Sequence, residues 1–437
     1  MPRREPSPSA RPGRPYLVPP ALLRSGEPFD GHHVLDEVRS PLGVLLWEGV
    51  RDVVLWATTV PAFRPSLFDP RAYDARTAAL HSVELEQELR GMLMRAAGVL
   101  DTEHQPDGAA VARTCRKVAL WAEERLLPRT AIWYAQAAAL ASPGSAEHAY
   151  TAGQLCHRNA EYTRAETWYR RAVGLARRRQ DADMYALAYT GLGHLFIARN
   201  DHARAGEAFL RAFRKARRAG IRKLWAEALH NLFVVAAETK QVAEAQEYAR
   251  RAFRAYPRSH PGRITLAHDV AGFWVLQGQY RRALPVLEVL ARILTRSSHR
   301  LFALSQLAWA AGGAGQIEVF AKAWIDTWQI IDNQPTLNCV TSSLLRLAYG
   351  SALLGDSERV ELAAGFAIDL AKRRGEETVL AEARGLLETA GTAGLPPALP
   401  PPPVEVEQDE LANDLAEAFV QTLAACADTD NHLRMQC

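Results

Sequence analysis

The sequence is poor in the residues that build covalent or metal-bound frameworks. Its five cysteines, Cys115, Cys156, Cys339, Cys426 and Cys437, are scattered and form no CxxC pair. That argues against a disulfide scaffold and a zinc site, and it fits a reducing, cytoplasmic setting. Lysine is scarce, 6 residues against 46 arginines, a bias that suggests a GC-rich bacterial genome. A long uncharged apolar run is also missing. The most apolar segment, Leu42 to Val60, carries Glu48, Arg51 and Asp52 near its middle and does not suit a bilayer core. Leu46, Val50, Val53 and Ala57 recur there at helical spacing, widened by Trp47, Val54 and Trp56, which predicts a buried helix instead. The opening MPRREPSPSARPGRPYLVPP has charge but no apolar run behind it. We expect a disordered Pro/Arg-rich arm over 1–29, and neither a signal peptide nor an anchor.

Enzymatic motifs are absent as well. There is no G-x-x-x-x-G-K-S/T, no G-x-G-x-x-G after a strand, no H-E-x-x-H and no G-x-S-x-G. The glycines Gly312, Gly313 and Gly315 are placed at a hairpin turn, with no strand to make them a phosphate loop. The expectation is a chain that is not an enzyme and needs no cofactor and no metal. With 52 basic and 49 acidic residues the net charge is only +3, so any basic partner surface must be local.

What the chain has is internal repetition. Ala165, Tyr169 and Ala172 set a small, aromatic, small spacing that returns 40 residues later as Ala205, Phe209 and Ala212. A glycine stands twelve residues ahead of each set, Gly153 and Gly193, where a small residue lets the two helices of a hairpin approach closely. Turns follow at Asn159-Ala160-Glu161 and at Asn200-Asp201.

This pattern resembles the tetratricopeptide repeat (TPR), W-x2-L-G-x2-Y followed by A-x3-F/Y-x2-A. The match is fullest at Tyr189, Leu192, Gly193, Phe196, Ala205, Phe209 and Ala212. The copy after Leu232 has Phe233 where glycine is expected, and further copies begin near Ala112, Arg300 and Thr341. The fold expected is all-α: an α-solenoid of about seven TPR-like helical hairpins, with an N-terminal helical region and a C-terminal amphipathic helix after a Pro-rich linker. The divisions are 30–110 for the N-terminal region, 111–374 for the repeats, 375–392 for a capping helix, 393–408 for the linker and 409–437 for an acidic tail.

The resemblance also implies where a partner would lie, along the groove lined by the first helix of each hairpin. Carried across, it selects Tyr150, Gln154, His157, His194, His230, Asn231, His268, Asp269 and Trp309. Family members that clamp acidic chaperone peptides use a lysine and two asparagines, of which only Asn231 has a counterpart here. A ladder of His194, His230 and His268, with Asp269 or Glu238 as hydrogen-bonding neighbours, reads as satisfied structural histidines, with polar groove contacts as the alternative, and not as a metal site.

The stretch EYTRAETWYRRAVGLARRRQD holds six arginines among two tyrosines and a tryptophan. At 100° per residue Trp168 and Tyr169 fall on the packing side, and the arginines fall on the flanks and the back. Arg164, Arg171, Arg178, Arg211, Arg214 and Arg218 would then form a basic ridge, since 158–258 has 21 Lys/Arg against 10 Asp/Glu. Glu405 to Asp430 has eight acidic residues and no basic one, with Leu411, Leu415, Ala418, Phe419 and Leu423 on one face. Residues 409–427 read either as a tethered, mostly disordered solubilising tail or as a helix that docks on a solenoid, within one chain or between two. The functional expectation is an interaction scaffold for a protein or peptide. The alternatives are a ligand- or peptide-sensing regulator and, third, a nucleic-acid-binding solenoid; nucleic acid is not the expected partner, and neither is a membrane.

Overall fold

A computed structural model describes residues 33–258, 260–390 and 410–428. The expectations for 1–29 and 393–408 lie outside these residues. The chain divides into two compact units, Met1–Ala228 and Leu229–Cys437. Helices and turns account for the described residues, with no strand among them.

The first unit opens with α1 (His33–Glu37), α2 (Pro41–Thr58), α3 (Ala72–Ser82) and α4 (Gln87–Ala97). Proline at its start launches α2, and Leu46, Val50 and Val53 are fully buried along the expected stripe, while Trp47 stays only partly covered. The charges inside this apolar helix are neutralised locally: Arg76 reaches Glu48 at 3.1 Å and the buried Asp52 at 3.0 Å. Pairing of this kind is what a buried carboxylate requires.

Hairpins follow, α5 (Gly108–Glu124) with α6 (Pro128–Ala141), α7 (Ala146–Arg158) with α8 (Tyr162–Arg179), and α9 (Ala182–Ala198) with α10 (His202–Arg218). The Glu37 carboxylate accepts hydrogen bonds from the Arg129 and Thr130 amides at 2.9 and 2.8 Å, capping α6 from α1. Asp107, Ser145, Asp181 and Asp201 cap α5, α7, α9 and α10 through their own side chains. Arginines crowd the last turns of α8 and α10, where a cation complements the helix dipole.

α11 (Arg222–Glu238) carries the chain into the second unit, which continues with α12 (Val242–Ala255), α13 (Gly262–Leu276) and α14 (Tyr280–Ile293). Then come α15 (Ser297–Ala314), α16 (Ile317–Asn333), α17 (Val340–Leu353), α18 (Ser357–Arg374), α19 (Glu377–Ala390) and α20 (Glu410–Asp428). The tight turns share one device, a residue in the left-handed region: Ala160, Asn200 and Lys240 at intervals of 40, then Gly278, Gly315 and Gly355.

The glycines of the repeat motif make room for rings. A Cβ on Gly153 would lie 2.8 Å from Tyr169 Cδ1, and one on Gly193 would lie 2.3 Å from Phe209 Cε1. The next copy inverts this pairing: Phe233 is large where Gly193 is small, and Ala249 is small where Phe209 is large. Both are buried and line one crevice, so the repeat conserves volume across the helix pair and not residue type. The glycine cluster corrects the expectation of a turn. Gly312 and Gly313 lie inside α15, where a Cβ would stand 2.2 Å from the Gly350 carbonyl oxygen and 2.3 Å from the Tyr280 ring; only Gly315 turns the chain, at φ +71°.

α20 packs on α14 and α13 of its own unit. Its buried residues are Ala412, Leu415, Ala416, Phe419 and Leu423, whereas Leu411 is 53% exposed. The apolar face is therefore rotated relative to the expected one, because Phe419 inserts between Phe253 and Trp274, with ring centroids 4.9 and 6.4 Å away.

Candidate peptide-binding site

Two neighbouring features of the second unit bring functional side chains together. The first is a polar cluster. His230 on α11 sits 2.9 Å from the Asp269 carboxylate through Nε2, and 3.3 Å from the Tyr256 hydroxyl through Nδ1. His268, next to Asp269 on α13, contacts the other carboxylate oxygen through Nδ1 at 3.3 Å. Burial alone would raise the Asp269 pKa, but hydrogen bonds from His230 and His268 and the imidazole charges outweigh it and hold the carboxyl down to about 2. Tyr256 is kept in place by His260, whose ring stacks on it at 5.0 Å.

The second feature is a cavity of about 560 Å³ at the start of α13 and α15, walled by Ile264, His268, Leu294, His299, Phe302 and Cys339 among others. His268 joins the two, with its ring 4.6 Å from Phe302 and its Nε2 buried without a protein partner. The Arg346 guanidinium also lies over Phe302, 4.0 Å from the ring centroid. Burial lowers the Arg346 pKa to about 10, and its Nη1 donates to the Ser342 hydroxyl at 3.2 Å. Burial likewise lowers His299 and raises the Cys339 thiol. The wall is mostly apolar with a few convergent polar groups, the usual composition of a ligand pocket. Among the described residues no three His, Cys, Asp or Glu side chains are grouped to hold a metal ion.

Of the residues selected from sequence, His230, His268 and Asp269 are thus in mutual contact, and Asn231 is half-buried beside His230 on α11. In the first unit Gln154 donates to the Tyr150 hydroxyl at 3.0 Å, and Tyr150 and His157 both lie against the Tyr169 ring. Burial, with the charges of His194 and Arg158, lowers the His157 pKa. His194 is exposed, edge-on to Phe209 at 5.4 Å. Trp309 is 7% exposed and stacks on Tyr349 at 4.6 Å, so its ring is spent on packing.

The arginines do not act as one surface. Arg178, Arg211, Arg214 and Arg218 are exposed, but Arg164 pairs with Glu161 and Arg171 turns inward to the Pro143 carbonyl at 3.0 Å. Trp168 and Tyr169 are buried. A groove of about 310 Å³ opens instead between α8, α9 and α10, with Arg170, Arg177, Arg204 and Arg211 on its rim.

Sequence reasoning missed Phe302, His299 and Arg346 because none stands at a repeat-signature position. It also missed the receiving side of α20: the Arg282 Nε donates to the Asn413 side-chain oxygen at 2.9 Å, and the Arg263 Nη1 reaches the Thr422 hydroxyl at 3.4 Å. No helix among the described residues is long and apolar enough to cross a membrane.

No protein-family model matches the chain, and no curated protein matches it. Solved structures are similar to it at low identity. BtubC from P. vanneervenii is 18% identical with a TM-score of 0.41, over 52% of this chain and 92% of that one. The TPR-like repeats of a putative kinesin light chain from Podosopora anserina give 17% and 0.38, over 45% and 98%. The Rap conjugation gene regulator of the plasmid pLS20, in complex with a Phr peptide, gives 14% and 0.40, over 80% and 91%. The chain's own packing makes it a series of helical hairpins, with glycines that admit rings, capped helices and left-handed turns at a regular interval.

Proposed function

We propose that the protein is a non-catalytic interaction scaffold that binds a peptide or a partner protein through its helical hairpins. The seating of α20 supports this most directly. Helices α12, α13 and α14 already hold an amphipathic helix, with Phe253 and Trp274 enclosing Phe419 and with Arg263 and Arg282 donating to its polar side. Those are the elements of helix-in-groove recognition. The cluster of His230, His268 and Asp269 beside the cavity offers a second contact region, able to orient a polar group while Phe302 and Leu294 accept an apolar one. Tyr150, Gln154, His157 and His194 would extend such contacts in the first unit.

Affinity capture of the tagged full chain from its host, compared with a His268→Ala/Phe302→Ala variant of unchanged melting temperature, tests the reading. A retained protein or peptide that the variant loses supports it. Retention of nothing by either chain opposes it. The volume of the cavity favours one other reading, a ligand- or peptide-sensing regulatory protein. In that case a cavity ligand raises the melting temperature of the wild-type chain and leaves a cavity-filling Phe302→Trp chain unchanged.

A further inference from the structure

The groove between α8, α9 and α10 in the first unit is built from the same repeat positions as the groove that holds α20 in the second. Matching Ala165 with Ala245 and Ala205 with Ala283 pairs Val173 with Phe253, Phe196 with Trp274, and Arg204 with Arg282. The correspondence is geometric as well as sequential. Arg204 lies over the Phe196 ring at 5.2 Å, as Arg282 lies over Trp274 at 5.9 Å. Phe253 and Trp274 are the rings that Phe419 meets. Their counterparts Val173 and Phe196 line the floor of the first-unit groove, together with Leu192.

The rim is basic. Arg170, Arg177, Arg204 and Arg211 line this groove with one carboxylate, Glu207, while Glu166 pairs with Arg170 at 2.8 Å and Asp201 with Arg204 at 3.5 Å from outside it, so four guanidinium groups and Lys215 face three carboxylates. The Arg211 guanidinium donates to the Tyr189 hydroxyl at 3.1 Å, which fixes it at the rim, and Lys215 lies over the adjoining Tyr185 ring. An apolar floor edged by guanidinium groups, at the repeat positions that receive α20 in the second unit, selects an amphipathic helix whose flanks are acidic.

We propose that the groove formed by α8, α9 and α10 is a docking site for an acidic amphipathic helix of a partner protein, of the same chemistry as α20. The proposal rests on the scaffold reading above and adds to it the site and the kind of partner. Nucleic acid is the competing occupant of an arginine rim. It is disfavoured here because Val173, Leu192 and Phe196 make the groove floor apolar, and because Arg211 and Lys215 already lie over the Tyr189 and Tyr185 rings that bases would stack on.

The test is fluorescence anisotropy with a labelled peptide of sequence 407–428, titrated into the full chain with its own α20 in place. Expected are binding that weakens with salt, a loss of at least tenfold in affinity in Arg177→Glu/Arg211→Glu and in Arg170→Glu/Arg204→Glu, and no binding by a peptide whose Asp and Glu are changed to Asn and Gln. Circular dichroism melts confirm that the variants fold. The proposal is overturned if the peptide does not bind, if the reversals leave its affinity unchanged, or if a duplex DNA oligonucleotide displaces it at lower concentration. Such a failure leaves the scaffold reading standing wherever the His268→Ala/Phe302→Ala variant still loses a captured partner.

Discussion

Phe419 meets Phe253 edge to face, with ring centroids 4.9 Å apart and planes at 75°, and this contact anchors the C-terminal helix on its own chain. Phe419 is 1% exposed, so its ring is fully desolvated. Replacing it by alanine removes the anchor at a cost on the order of 3 kcal/mol. Amide hydrogen exchange across 410–428 should rise to the rate of an undocked helix in Phe419→Ala, and unchanged protection would show that other contacts hold α20.

Gly193 faces Phe209 so closely that a methyl group cannot be added without moving the ring, which is buried and cannot swing away. Gly193→Ala should cost about 1–3 kcal/mol, as overpacked cores do. Gly365 in α18 is the control, since nothing lies within 4 Å of an added Cβ. Gly365→Ala should stabilise by about 0.8–1 kcal/mol through helix propensity alone. Denaturant midpoints of the two variants should move in opposite directions.

Leu126 holds φ at +57° while its side chain is 86% exposed, so nothing repays the left-handed strain. Glycine relieves that strain, and Leu126→Gly should raise stability by about 0.5–1 kcal/mol. A lower denaturant midpoint in the variant would mean that Leu126 makes a contribution beyond its backbone.

Asp269 is held near a pKa of about 2, below an unfolded carboxyl near 4. Its stabilising effect is therefore present above about pH 4 and is lost as the pH falls through the folded value. The stability gap between the wild-type chain and Asp269→Asn should be widest at pH 5 and close toward pH 2. A gap that stays constant over that range would contradict the contacts with His230 and His268.

The hairpin architecture was legible because its signals are local: the glycine twelve residues before Ala165 and Ala205, and the polar turns at Asn159 and Asn200. The burial of Trp168 and Tyr169 followed from periodicity alone. The contacts between hairpins were less legible. Phe233 breaks the signature, and only the structure shows that Ala249 yields the space it needs. The His230–Asp269 contact falls within the hydrogen-bonding neighbourhood expected of two successive first helices, whereas the stacking of Trp309 was not legible because its partner Tyr349 lies on another hairpin, outside any window of local sequence. The rotation of α20 that exposes Leu411 depends on where Phe253 and Trp274 stand, and no amphipathic pattern within 410–428 encodes it.

The central question is whether hairpins of this chain act as a receptor for an amphipathic helix. The most direct measurement places a photo-crosslinking phenylalanine analogue at the Phe419 position of the 407–428 peptide and adds it to a full chain whose own helix is released by Phe419→Asp. Expected are adducts on α12, α13 or α14, centred on Phe253 and Trp274, alongside any at the groove of α8, α9 and α10. Adducts spread over the surface, or none on these helices, would contradict the receptor role.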